Sequence, residues 1–418
     1  MEALGRIINA FCRKDNKILA QNFIFLSLMQ IAGFVFPLIT LPYLAKVVGA
    51  DGLGRVAFAS AINVWMQTIA DWGFNYTATR ELAMNRDDRE KVNRIFSKIF
   101  WAKWLLALFS FVLLLLFIVI IPDFRENRTV ILFTFSMIPG NIMVSEWFFQ
   151  ALEKMKYITL FNLLTKILFT LCVFLFVKAK SDYVLQPLFI SLGFIVSGLI
   201  SMYIILIRWK IRLLKFSFYE ILETIGKSTD IFINNLMPNL YNSISTVLLG
   251  IYSTPYSVGI YSSGKKFITI SDSMISIISR VFFPYLARRS EKHSIYAKLN
   301  ISVALIVTLL LFILAPLLID LFYTEEFNSS INVLRITSLS LLFISLNTVY
   351  GTNFLLLHGY DRLLRNITMV ASVIGLVLAV FLILYFDYIG AAFTYLFSTI
   401  LMGVLPMYYA FKKKRCNL

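Results

Sequence analysis

Between Leu105 and Ile121 the chain reads LLALFSFVLLLLFIVII, with no charged residue. About 20 such residues cross the hydrocarbon of a bilayer as a helix, and similar stretches recur along the whole chain. The balance agrees: 59% of the 418 residues are hydrophobic and 15% charged, more apolar surface than a water-soluble fold of this size can hide. Inside lipid only helices and closed barrels satisfy their backbone. A barrel would show short alternating segments, so the pattern implies an all-α polytopic membrane protein. The first residues, MEALGRIINAFCRKDNK, have no apolar core of signal-peptide length, so the first apolar segment is expected to stay as a span.

The apolar runs place twelve spans at roughly 18–41, 53–74, 97–121, 129–151, 158–178, 184–207, 228–252, 257–285, 297–322, 329–357, 364–386 and 388–411. Of the 39 basic residues, 27 then fall on the side that carries both termini and 6 on the other. Lys and Arg collect on the cytoplasmic side, so both termini are expected in the cytoplasm. The net charge of +16 therefore expresses topology and calls for no nucleic-acid partner. Scattered cysteines and two lone histidines imply no disulfide framework, metal or other cofactor. Gly226-Lys227-Ser228 lacks the upstream glycine and strand of a phosphate loop, and no external loop is large enough for an ordinary transferase site.

The stretch 208–227, WKIRLLKFSFYEIL and beyond, is basic and amphipathic, as surface linkers are. It is expected to join two six-helix bundles, 1–207 and 228–418. A weak repeat fits this division. ADGLGRVAFAS at the start of span 2 resembles PYSVGIYSSGK at the start of span 8, with Gly54 against Gly259. Parallel repeats of this kind are common in transporters.

Six basic residues lie inside spans: Lys103, Lys166, Lys265, Lys266, Arg280 and Arg335. A charge near the bilayer centre costs roughly 2.5–3.5 kcal/mol on insertion scales. At 100° per residue, Lys265, Lys266, Asp272, Ser273, Ser276 and Arg280 share a sector of about 140°, backed by Phe267, Ile268, Met274, Ile275 and Ile278. Such a stripe faces protein or water. Span 2 carries a milder one, with Asn63, Gln67 and Asp71 at i, i+4 and i+8. The bland alternative is snorkelling to the interface. It fits Lys103 best and applies to the end residues Lys265, Lys266, Arg280 and Arg335, but fits mid-span Lys166 poorly. Asp71 and Glu146 read either as helix-packing polar groups or as ion carriers. Basic residues without matching deep acids favour an anion, with phosphate or diphosphate the natural head group. Prolines within spans fit broken helices and alternating access.

Three segments, PLITLPYLAKVVGADGLGRVAFA (37–59), EWFFQALEKMKYIT (146–159) and VLLGIYSTPYSVGIYSSGKK (247–266), resemble the bacterial O-antigen and polysaccharide flippases. That superfamily also holds multidrug exporters and lipid II flippases. The departures are Ala151, where the family usually has Gly, and Gly264, where Ala is expected. The resemblance implies two six-helix bundles around a central cavity, no catalytic activity and a bacterial inner-membrane location. It also implies an undecaprenyl-diphosphate-linked oligosaccharide moved from the cytoplasmic to the periplasmic leaflet, with a polymerase and chain-length machinery as further partners. In that setting Lys265, Lys266 and Arg280 would neutralise the diphosphate, helped by Lys166 and Arg335. Asn63, Gln67, Ser273 and Ser276 would bind sugar. Asp272, Asp71 or Glu146 would carry a coupled ion. A lipid II or teichoic-acid-type flippase is the alternative of the same class; a membrane-embedded glycan polymerase or assembly partner is that of another.

Overall fold

The computed structural model describes residues 14–233, 236, 243–288 and 292–416. The described residues are helical apart from short links, with no strand. Helix α1 (Lys14–Asp71) would run about 87 Å if straight, nearly three times the hydrocarbon thickness. It breaks at Gly49, whose φ of 74° and ψ of −177° leave the helical region. After α2 (Phe74–Met84) and α3 (Arg89–Ile120) come a single turn at Pro122–Glu126 and three further short pieces, α4 (Arg128–Phe135), α5 (Met137–Val144) and α6 (Glu146–Ala151). Ser145, at φ 50°, separates the last two. Then follow α7 (Met155–Phe176), α8 (Leu185–Met202) and α9 (Phe218–Lys227). The later part contains α10 (Ile244–Tyr252), α11 (Pro255–Arg288), α12 (His293–Ile313), α13 (Ala315–Phe322), α14 (Ser330–Ser338), α15 (Ser340–Leu346) and α16 (Asp361–Cys416).

Helix α16 breaks at Asp387, φ 53°, and there the chain turns back on itself. A Cβ on Gly390 would stand 1.9 Å from the Leu382 carbonyl oxygen, whereas a continuous helix would hold those residues about 12 Å apart. Among the described residues, eight segments are long and apolar enough to cross a membrane. Expected spans 1 and 2 fall within one broken helix, as do 11 and 12. Span 8 falls on α11, whose charges lower its hydropathy, and span 7 runs partly outside the described residues.

The chain divides into two compact units. The first comprises residues up to Thr40, Trp65–Lys178 and Val184–Ile233; the second comprises Leu41–Val64, Ala179–Tyr183 and Asn234–Leu418. Packing thus assigns the part of α1 around Gly49 to the second unit, a detail that chain order alone does not reveal.

An aromatic core holds the first unit together. Phe96, Phe148, Phe149 and Phe161 are fully buried. Phe148 meets Phe96 edge-on at 5.0 Å, and Phe149 lies 5.4 Å from Trp209 and 5.5 Å from Phe161. The segment EWFFQA therefore builds this core. A strap, residues 209–214, is then bound along α3 by side chains four residues apart. Arg89 donates to the carbonyls of Trp209 and Lys210, and Asn93 accepts from the Arg212 amide at 3.0 Å. Ser97 accepts from the Leu214 amide at 2.9 Å, and Trp101 donates to the Leu214 carbonyl at 2.9 Å. Ser217 and Glu220 then form a capping box that starts α9.

In the second unit α1 and α11 cross by backbone contact. A Cβ on Gly54 would lie 1.7 Å from the Pro255 carbonyl oxygen, and one on Gly259 would lie 2.1 Å from that of Ala50. Only glycine permits that approach. At the end of α10 and start of α11, Ser253 and Ser257 both donate to the carboxylate of Asp387.

Candidate functional site

The polar side of α11 divides into two parts. Lys265 is half-buried, with its ammonium 4.0 Å from the ring centre of Tyr395 on α16 and 5.5 Å from that of Tyr261. A desolvated cation over an aromatic face gains about 2 kcal/mol. Lys266 and Thr269 are exposed, and Asp272, Ser273 and Ser276 are half-buried. The accessible surface is not purely polar, since Met274 and Ile277 stand open beside them. Ser273 donates to the Thr269 carbonyl and Ser276 to that of Ser273, both at 2.8 Å. Their hydroxyl oxygens stay available as acceptors. Ser279, next along the stripe, accepts from Asn353 at 2.7 Å, and Asn353 also donates to the Tyr296 hydroxyl. Arg280 lies on α11, but its side chain is outside the described residues.

Arg335 does not join this group. Its guanidinium lies 5.7 Å from the ring centre of Phe312 on α12. Helix α14 meets α11 through Val333, against Gly264, and through Ser330, which donates to the Ile260 carbonyl at 2.9 Å. Two residues past Val333, a side chain points about 200° round the helix from that contact.

A second polar group lies in the first unit. Lys103, expected to snorkel, instead turns inward with 4% exposure. Its ammonium donates to Asp71 at 2.9 Å and to the Asn75 side-chain oxygen at 3.1 Å, while Gln67 donates to the other Asp71 oxygen at 2.8 Å. These acceptors on α1 and α2 are within reach of the side chain, so pairing replaces the journey to the interface. Glu146 accepts from Asn162 at 2.7 Å and interacts electrostatically with Lys103, Asp71 and Lys166. The Lys166 ammonium lies against Gly33. Lys166 thus belongs with Glu146, on helices of the first unit, and Lys265 and Lys266 belong to the second. Asn63 is half-buried on the same helical row as Gln67 and Asp71.

Sequence reasoning missed Tyr395, Asn75, Asn162 and Asn353. Asn162 had a signal, as the lone amide inside an apolar span, and Asn353 a weaker one, since Asn332 and Asn347 share its span. Tyr395 had none, because an aromatic residue in a span is ordinary.

The fold is a framework of long, broken apolar helices with charged groups buried among them, and solved structures share it. The fold matches "Lipid II flippase MurJ, inward closed conformation" with a TM-score of 0.74 over 93% of this chain and 87% of that one, at 13% identity. A multidrug resistance MATE family transporter of the MOP superfamily, in an inward-facing conformation, matches at 0.61 over 91% and 98%, also at 13% identity. The chain belongs to the family described as "Polysaccharide biosynthesis protein", which matches residues 19–290. A protein of Escherichia coli (strain K12) named "Putative O-antigen transporter" is 26% identical over 96% of this chain and 98% of its own. One of the same name from Shigella dysenteriae is 24% identical over 91% and 97%. These relatives are named for transport, not catalysis.

Proposed function

We propose that the protein is a flippase for a lipid-linked glycan, moving an undecaprenyl-diphosphate-linked oligosaccharide from the cytoplasmic to the periplasmic leaflet. The observation that carries this reading is the basic face of α11, a membrane-length helix that presents Lys265 and the exposed Lys266. The names of the two relatives point to O-antigen as the glycan class. Lys265, Lys266 and Arg280 neutralise the diphosphate; Ser273, Ser276, Asn63 and Gln67 accept and donate to the sugars. The polyprenyl tail stays in lipid. Both termini lie in the cytoplasm, and a polymerase takes up the product.

Two charges crossing the full field of a negative interior gain about 4.6 kcal/mol per 100 mV, enough to drive export. Where an ion is coupled, Glu146 is the better carrier. Both Asp71 oxygens are engaged by Lys103 and Gln67, whereas Asn162 holds one oxygen of Glu146.

The test is to delete the gene and identify the lipid that accumulates. A diphosphate-linked O-antigen unit on the cytoplasmic leaflet is expected, restored to export by the wild-type gene and not by K265A/K266A. Accumulation of lipid II would assign the cell-wall alternative, and an unpolymerised glycan already outside would assign a polymerase role.

A further inference from the structure

One strongly charged concavity takes no part in the site above. It lies where the first turns of α3 meet the strap, has a volume of about 590 Å³, and is lined by Arg89, Arg94, Lys210 and Arg212 with Glu90 as the one acid on its wall. The strap creates it: the bonds from Arg89, Asn93 and Ser97 fix the backbone of residues 209–214 against α3. Lys210 sits there at φ 53°, a left-handed position that usually goes to glycine or asparagine. The chain thus keeps a cation where its backbone would prefer another residue. Arg94 pairs with Glu220 at 3.6 Å. Among the described residues, Arg89, Lys210 and Arg212 have no carboxylate partner at ion-pair distance.

Beside this pocket the surface is apolar. Leu213 and Leu214 are 37% and 39% exposed; on α9, Phe218, Tyr219 and Leu222 reach 63%, 78% and 46%. Ile221 and Ile225 of the same helix pack on the aromatic core of the first unit. The apolar arc of α9 therefore runs from the protein outward, while Glu220, Glu223 and Lys227 occupy the opposite side. Basic residues next to exposed aromatic and aliphatic ones match the boundary of an anionic leaflet. A soluble acidic partner would leave that apolar surface uncovered.

We propose that this pocket is a headgroup site for an anionic phospholipid, with the phosphate among Lys210, Arg212 and Arg89 and the acyl region beside Leu213, Leu214 and Phe218. The full-length protein in neutral detergent is titrated with phosphatidylglycerol, phosphatidylcholine or inorganic phosphate, with bound lipid counted by native mass spectrometry and thermal stability followed in parallel. Phosphatidylglycerol should bind at least tenfold more tightly than phosphatidylcholine and raise the melting temperature, and added salt should weaken it. K210Q/R212Q should lower that affinity at least fivefold, while K210R/R212K and the remote K412Q keep it. Equal binding of the two lipids, a full thermal shift from inorganic phosphate alone, or undiminished affinity in K210Q/R212Q would each overturn the site. The lipid comparison on the wild type stands even where the glutamine variant fails to fold.

Discussion

Lys103 on α3 donates its ammonium to Asp71 on α1 at 2.9 Å, in surroundings that leave Lys103 4% exposed. Removing one member of a buried pair strands the other, at a cost of about 3–5 kcal/mol. K103M and D71N should therefore each lose thermal stability strongly, and D71N/K103M should recover most of it. Melting curves of the detergent-solubilised protein check this. Additive losses in the double variant would show that the two residues act independently.

The crossing at Gly54 and Gly259 gives a steeper expectation. A Cβ on Gly54 meets the backbone oxygen of Pro255 at 1.7 Å, and a carbonyl cannot swing aside as a side chain can. G54V and G259V should each cost about 3 kcal/mol or more, seen as reduced folded yield and lower melting temperature. At Gly226 an added Cβ meets nothing within 4 Å. G226A should be neutral or stabilising by about 0.5–1 kcal/mol, which separates crowding from the loss of glycine as such.

Gly264 is a milder case with a defined neighbour. An alanine Cβ would lie 2.8 Å from Val333 Cβ and 2.9 Å from the Ser330 carbonyl oxygen. G264A, the residue expected from the family resemblance, should cost about 1–3 kcal/mol here. V333A trims Val333 Cγ1, which also lies 2.8 Å from the added Cβ, but keeps the Val333 Cβ, so adding it to G264A should return only a small part of the loss. Differential scanning fluorimetry of the three variants reads the coupling directly.

Much of this architecture was legible in the sequence because lipid permits few solutions. Apolar run lengths gave the helices, and the 100° step gave the stripe on α11. What the sequence could not give was the partner of each charge. Lys103 looked like an end-of-span residue, and nothing in its neighbourhood along the chain announced Asp71, 32 residues earlier. Arg335 is expected to help Lys265 neutralise the diphosphate, yet its place on α14 turns it toward Phe312. Helical pitch fixes direction only after the packing face is known. The segment EWFFQA was legible as a family mark, but its role as the aromatic core of the first unit needed the fold. Within it the Glu146 side chain accepts from Asn162, and the Trp147 carbonyl accepts from Thr79.

The seat of Lys265 supplies the last expectation. Its ammonium rests 4.0 Å from the centre of the Tyr395 ring, and Tyr395 itself is 7% exposed. The ring face lies under the ammonium and attracts it there. Y395F should therefore export lipid-linked glycan nearly as well as wild type. Y395L keeps the volume roughly but removes the π face, worth about 1–2 kcal/mol, and should lower export roughly tenfold at matched membrane levels. Vesicle export assays on the two variants decide between them. Equal activity of Y395L and Y395F would mean that the ring does not set the position of Lys265, and that the working geometry of this lysine is made by other groups.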